Sequence, residues 1–285
     1  MNKYVSPLRY PGGKLKVVDF IKHLFEVNDL CGGTYIEPYA GGASVALSLL
    51  FSDHAHIIHI NDIDRSIYAF WYSVLYNTDA LCRMINDTTV NMEVWEKQRM
   101  VQNNKTNENL LELGFSTFFL NRTNRSGILS AGVIGGKNQN GYYKIDARYN
   151  KKDLIGRIEK IAKYCDRIEI TNLDAKQLIE SMDSTDTKTI CYLDPPYYIK
   201  GQDLYLNYYN DKDHMAISQA IKNYNGKWII SYDAVPFITT LYNEFRKKEY
   251  NLSYSAGNPA KGKEVMIYSD RLIIPEYDIV KNKTE

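Results

Sequence analysis

The chain has 285 residues, 44% of them hydrophobic, with 35 Lys and Arg against 34 Asp and Glu and a net charge of +1. That length supports one or two domains with a sizeable core, and the near-neutral charge does not by itself announce a nucleic-acid binder. No apolar run approaches the roughly 18 residues of a membrane span, and no apolar leader precedes Pro11-Gly12-Gly13, so neither a membrane protein nor a secretory signal is expected. Cys31, Cys82, Cys165 and Cys191 are far apart with no C-x-x-C pair, which argues against zinc and a disulfide framework and for a reducing cytoplasm. His54 and His56 would share a strand face but His59 would not, so no metal site is expected.

Taken in chain order, the pattern alternates strands with helices. Val17 to Val27 has helical spacing. Strands are expected at Tyr35–Glu37 and His56–Ile60, with a helix from Val45 to Phe51 between them. Residues 66–119 read as mostly helical, with helices at Ile67–Tyr76, Met92–Gln102 and Leu110–Leu120. A glycine-, asparagine- and arginine-rich stretch, Asn121 to Asn150, follows, and its glycine-rich part, Leu129 to Asn140, reads as a mobile loop that orders only on binding. Alternation resumes with a helix at Leu154–Cys165, a strand at Arg167–Thr171, a helix at Ala175–Met182 and a strand at Thr189–Tyr192. The last elements are a helix at His214–Tyr224, a strand at Trp228–Ser231, a helix at Pro236–Lys247 and a hairpin of Leu252–Ser255 with Val265–Tyr268. Lys281 to Glu285 is a polar tail. The alternation predicts an α/β fold with a mostly parallel sheet covered by helices on both faces, interrupted by a helical insert. The predicted division is a main domain of residues 1–65 and 153–285, with an insert of residues 66–152.

Three patterns carry chemistry. Leu193-Asp194-Pro195-Pro196-Tyr197 follows a buried strand. The prolines cannot continue a ladder, so the Asp194 carboxylate and the Pro195 carbonyl are left as two acceptors beside the Tyr197 ring. Two acceptors and an aromatic plate suit an exocyclic amino group on a planar base. Upstream, the strand Tyr35-Ile36-Glu37 runs into Pro38-Tyr39-Ala40-Gly41-Gly42-Ala43-Ser44 and then a helix, which is a nucleotide-binding layout. Asp62, about 20 residues past that loop at the end of the next strand, suits ribose hydroxyls. No G-x-G-x-x-G and no phosphate-binding lysine after the glycines are present, which favours a nucleoside without phosphate. From Leu120 to Lys152 the basic residues are Arg122, Arg125, Lys137, Lys144, Arg148, Lys151 and Lys152, against Asp146 alone. A local excess of this kind can serve as a phosphate footprint.

These motifs, with Ser6-Pro7-Leu8-Arg9-Tyr10-Pro11-Gly12-Gly13-Lys14 and Asn61-Asp62-Ile63-Asp64, occur in an order that resembles the Dam-type (D12 class) DNA adenine-N6 methyltransferases over most of the chain. The resemblance implies a Rossmann-like methyltransferase sheet, S-adenosylmethionine as cofactor and double-stranded DNA as partner, and residues 66–152 become a target-recognition domain. It leaves the oligomeric state open. It implies catalysis by Asp194, Pro195 and Tyr197 on a flipped adenine, with Tyr197 stacked on the base. It assigns the cofactor to Tyr10, Lys14, Glu37, Tyr39, Gly41, Asp62, Asp174 and Asp194. Lys14 and the Gly12-Gly13 turn would lie near the methionine end, Glu37 near its amino group, and Asp174 by the cofactor's adenine; Asp174 also suits a helix N-cap. Asn121 to Ile128 resembles the recognition segment, giving Arg122, Asn124, Arg125, Lys137 and Arg148 as DNA contacts, although the hairpin typical of GATC readers is missing. Ala43 replaces a glycine common in the family and is expected to sit at negative φ. Cytosine-N4 methylation and a non-catalytic DNA-binding role are the alternatives. The first shares the amine chemistry. The second would dispense with Lys14, Asp62, Asp174 and Asp194.

Overall fold

The computed structural model describes residues 5–10, 14–199, 209–253 and 261–280. The Gly12-Gly13 turn and the 281–285 tail lie outside the described residues. Seven strands form one mixed sheet: β1 (Gly33–Glu37), β2 (Ala55–Asn61), β3 (Ile168–Thr171), β4 (Thr189–Leu193), β5 (Lys227–Asp233), β6 (Arg246–Ser253) and β7 (Lys261–Tyr268). Their order is β3-β2-β1-β4-β5-β7-β6. β1 pairs in parallel with β2 and β4, β4 pairs in parallel with β5, and β7 runs antiparallel to both β5 and β6. The α-helices among the described residues are α1 (Val18–Val27), α2 (Ser44–Phe51), α3 (Arg65–Tyr76), α4 (Thr78–Asp87), α5 (Met92–Asn103), α6 (Leu110–Thr123), α7 (Lys151–Ala162), α8 (Ala175–Ser181), α9 (Asp211–Asn223) and α10 (Pro236–Leu241). No helix among the described residues is long and apolar enough to cross a membrane.

The chain divides into two compact units. The first comprises residues 1–13 and 63–172, and the second residues 14–62 and 173–285. Residues 66–152 thus fall inside a unit that also takes in an N-terminal segment and α7. In the second unit, every residue of β4 is buried, as expected of a parallel strand covered on both faces. Trp228, Ile230, Tyr232, Val265 and Ile267 extend that core across β5 and β7. The last strand pair begins earlier than the sequence suggests. α10 ends at Leu241, and Arg246–Ser253, expected in part as helix, is strand β6. β6 is an edge strand, and its Arg-Lys-Lys-Glu start carries no apolar alternation, a usual protection of exposed edges.

In the first unit, α3 and α6 approach closely. A Cβ on Gly114 would lie 2.3 Å from Ser73 Oγ and 2.5 Å from the Ala69 carbonyl, so only glycine permits the contact. Phe70 stacks on Phe118 at 6.2 Å, and Tyr149 packs edge-on against Phe118 at 5.4 Å. The short helix α4 between α3 and α5 buries Leu81 and Ile85. The glycine-rich stretch is tied by side-chain hydrogen bonds. Gln139 pins it, donating to the carbonyls of Ile134 (2.8 Å) and Gly136 (2.7 Å) and accepting from the Ile145 N–H (2.8 Å).

Candidate active site

The carboxyl ends of β1, β4 and β5 carry Glu37, Asp194 and Asp233, and register places Glu264 of β7 opposite Asp233. The turn after β4 is fixed by Asp233, whose carboxylate accepts from the N–H groups of Tyr198 (3.0 Å) and Ile199 (2.9 Å). Two proline-blocked positions followed by two captured N–H groups leave the turn no freedom to slip. Asp194 is held at its tip, with its side chain 22% exposed.

Lys14 organises the site. It begins the short 3-10 turn before α1 and is buried. Its Nζ lies 3.0 Å from Asp194 Oδ1, donates to the Tyr197 hydroxyl at 2.7 Å and lies 3.9 Å from Glu264 Oε2. The ammonium also sits 4.8 Å from the centre of the Tyr197 ring. Glu264 is anchored in turn by the Tyr250 hydroxyl, which donates to Oε2 at 2.7 Å. Burial raises the pKa of Asp194, and Lys14 holds that rise in check. Burial raises Glu264 as well, against the same lysine.

Glu37 has a different setting. Its carboxylate accepts from the Ala46 N–H in the first turn of α2, a helix whose N-cap, Ala43, offers no side-chain acceptor. Its other oxygen, Oε2, is buried without a hydrogen-bond partner among the described residues. Burial, with repulsion from Asp194, pushes its pKa well above the usual carboxylate range. Ala43 adopts φ +46°, the left-handed region, which corrects the expectation of negative φ. Close packing at the head of α2 imposes this strain, since Ala43 is almost fully buried.

The glycine loop and the end of β2 are tied together. Asp62 Oδ2 accepts from the Gly41 N–H at 3.0 Å. Asn61 donates to the carbonyls of Pro38 (2.9 Å) and Leu173 (3.0 Å) and accepts from the Leu173 N–H (2.9 Å), so it fixes where Asp62 and the 173–174 turn lie. Asp174 caps α8, accepting from the Lys176 N–H at 2.9 Å. Tyr209 hydrogen-bonds Tyr39 through their hydroxyls at 3.0 Å. Burial is the main cause that pushes the Tyr209 phenol up to about 12, and both Asp174 and Asp62 repel its charged form. Tyr39, Asp62 and Asp174 are therefore gathered around Tyr209.

The structure thus brings together Lys14, Asp194 and Tyr197 with Glu37 near by, and groups Gly41, Asp62, Asp174 and Tyr39 in the same unit. Pro195 is buried behind Asp194. Tyr197 is not an open plate. It is buried in the core cluster with Lys14 over its ring and on its hydroxyl. Tyr10 is half-buried and belongs to the first unit. Sequence reasoning missed Asp233, Glu264, Tyr250 and Tyr209. The available signals were acids at the head or end of apolar strands, Ile229-Ile230-Ser231-Tyr232-Asp233 and Glu264-Val265-Met266-Ile267.

In the first unit, Arg125, Lys137 and Arg148 are exposed. Arg148 lies over the Tyr143 ring at 5.6 Å. Asn124 is a correction. It is fully buried, its Oδ1 accepts from Trp95 Nε1 at 2.7 Å, and its Nδ2 donates to the carbonyls of Ile128 (3.1 Å) and Leu129 (2.9 Å). No edge remains for a base. Arg122 is also buried, at 8% exposure.

Residues 10–255 match the family model of the D12 class N6 adenine-specific DNA methyltransferases. The chain belongs to this family. Membership makes it an adenine-specific DNA methyltransferase with DNA as substrate, and implies S-adenosylmethionine as methyl donor. No curated protein matches the methyltransferase in sequence. Among solved structures it is similar to a candidate RNA methyltransferase from Pyrococcus horikoshii, at 10% identity and TM-score 0.43, covering 92% of this chain and 86% of that one. It is also similar to TrmN from Thermus thermophilus, at 9% identity and TM-score 0.40, covering 87% of this chain and 47% of that one. The methyltransferase residues fit the cofactor: the orphaned Glu37 Oε2 is a buried acceptor suited to an ammonium group, and Asp62 beside Gly41 is a carboxylate at the loop where a ribose would lie.

Proposed function

We propose that this enzyme takes an adenine flipped out of duplex DNA and methylates its N6 at Asp194. The carrying observation is a carboxylate at a rigid strand-end turn, held by Lys14 and followed in the chain by two prolines. Adenine N6 is a poor nucleophile because its lone pair is delocalised into the ring. Hydrogen bonds from its two N–H groups to Asp194 and to the Pro195 carbonyl would localise that pair. Positive charge then develops on nitrogen, and a fixed carboxylate in a site shielded from water stabilises it. Bound S-adenosylmethionine supplies an electrophilic methyl on sulfur. Glu37 would accept from its amino group, Asp62 from its ribose, and Asp174 or Tyr209 would face its adenine.

Lys14 has two tasks in this reading. It favours the ionised form of Asp194 against burial, and it fixes Tyr197 by its hydroxyl and over its ring. The Asp194 carboxylate stays available as an acceptor because Glu264 gives the ammonium a second counter-charge. Exposed Arg125, Lys137 and Arg148 supply DNA contacts. Unstacking the target base costs about a few kcal/mol, which those contacts must offset.

The test pairs product and pose. Labelled methyl transfer to duplex DNA, followed by nucleoside chromatography, should give N6-methyl-2′-deoxyadenosine alone. A duplex with 2-aminopurine at the target position should brighten on binding. A product on cytosine N4, or methylation with no change in fluorescence, would overturn the reading.

A further inference from the structure

The first unit holds a half-buried basic cluster in which, among the described residues, guanidinium groups outnumber the carboxylate that pairs with them. Arg9 is held through its backbone: its N–H donates to Asn121 Oδ1 at 2.8 Å and its carbonyl accepts from Asn121 Nδ2 at 2.7 Å. Gly127 makes room for that approach, since a Cβ there would lie 2.5 Å from the Arg9 carbonyl oxygen. Arg122 follows Asn121 on α6 and is 8% exposed. Arg157 on α7 donates to the Ser6 carbonyl at 3.0 Å and to Asp153 at 2.6 Å. The segment before Arg9, the end of α6 and the middle of α7 therefore meet with three guanidinium groups and one carboxylate.

That carboxylate is already taken by Arg157. Arg9 Nη1, Arg122 Nε and Arg157 Nε are buried donors with no hydrogen-bond partner among the described residues. The Tyr149 hydroxyl, beside Arg122, is a fourth. Burial, followed by repulsion from Arg157 and Arg9, pulls the Arg122 guanidinium down to about 9. A buried arginine kept only for packing is normally paired with an acid, because an unpaired buried charge is costly. Converging unsatisfied guanidinium donors match the acceptor oxygens of a phosphate, which guanidinium forks bind bidentately.

We propose that Arg9, Arg122 and Arg157, with the Tyr149 hydroxyl, form a pocket for one phosphodiester group of the DNA backbone. The assignment to DNA rests on the methyltransferase reading, while the anion pocket rests on the cluster alone. Arg122 then acts as a phosphate clamp and reads no base. Arg148, exposed over Tyr143, is the outermost charge of the same group and also repels Arg9.

The test compares wild type with Arg122→Met in two measurements that do not use methyl transfer. The first is the melting temperature in inorganic phosphate against chloride at equal ionic strength. Wild type should gain several degrees in phosphate. Arg122→Met should gain none, and should melt no lower than wild type in chloride because an uncompensated charge has been removed. The second is duplex affinity across salt concentrations. The variant should bind about tenfold more weakly at low salt, alike for all sequences, with a log–log slope smaller by about 1. If Arg122→Met does not fold, Arg9→Gln, on a half-buried segment outside the helices, should show the same two losses. No phosphate effect on wild type, with a variant that melts well below it, would overturn the pocket. Phosphate stabilisation with an unchanged DNA salt slope would overturn the phosphodiester assignment. Failure of wild type to bind any duplex would overturn the functional reading and the DNA assignment together.

Discussion

The two units bury positive charge in opposite ways. In the second, Lys14 is met by Asp194, Tyr197 and Glu264 at 2.7–3.9 Å. In the first, Asp153 favours the charge of Arg122 while pairing with Arg157, and the arginines around it oppose that charge. A compensated lysine shapes its neighbours: it sets the ionisation of Asp194 and the position of Tyr197 before substrate arrives. The arginine cluster has less counter-charge than it has cations, and the proposed phosphate would supply the rest. Pre-organisation for chemistry and readiness for an anion are thus written as a full and a partial complement of counter-charge.

The largest effect that would sharpen this contrast lies at Lys14. Lys14→Met leaves Asp194 and Glu264 buried without their cation, at a cost of about 3–5 kcal/mol in stability at neutral pH. Its removal lets the Asp194 pKa rise further, so the acid limb of the pH–rate profile should move to higher pH, with about a tenfold loss at neutral pH that is recovered in alkali. Denaturant melts and a pH–rate profile check both parts. Glu264→Gln should move the acid limb the other way and by less, since Glu264 and Asp194 repel each other and Lys14 would turn wholly to Asp194. Equal shifts of one sign in both variants would mean that the lysine does not mediate between the two acids.

Glu37→Gln tests the orphaned acceptor. The folded-state pKa of Glu37 is raised, so the folded protein holds that proton more tightly than the unfolded chain does. Stability from this group is full at low pH and declines as pH rises above the usual carboxylate range. The glutamine variant should lose that decline and gain about 1 kcal/mol at neutral pH, while binding S-adenosylmethionine more weakly. Urea melts across pH and calorimetry separate the two. A variant less stable at neutral pH would show that Glu37 is chiefly structural. The smallest effect is at Ala43. Left-handed backbone costs an L-residue about 1–2 kcal/mol, which nearly offsets the methyl burial and chain entropy that glycine forgoes. Ala43→Gly should therefore melt within about 0.5 kcal/mol of wild type, whereas Ala46→Gly inside α2 should cost about 1 kcal/mol.

Local signals in the sequence reached the parts of the molecule that local chemistry decides. The prolines after Leu193, the glycines after Glu37 and the alternation of strands and helices gave Asp194, the loop before α2 and the parallel core. What was not legible depends on long-range register. Glu264 matters because β7 turns back beside β5 and sets it opposite Asp233. Asn124 looked like a base reader by residue type, but Trp95, 29 residues earlier in the chain, takes its carbonyl. β6 hid in a charged run because edge strands need no apolar face. Arg9, quoted only as part of the N-terminal motif, and Arg157 carry no local mark of a cluster assembled from three separate segments.

The central claim is that Asp194 accepts the target amine. The direct measurement is the single-turnover rate of methyl transfer by Asp194→Asn on a duplex already bound with S-adenosylmethionine. Asparagine keeps the shape and loses the charge. The account predicts duplex affinity within a few-fold of wild type and a rate lower by at least about 10²–10³. A rate within tenfold of wild type, with cofactor and DNA both bound, would contradict it.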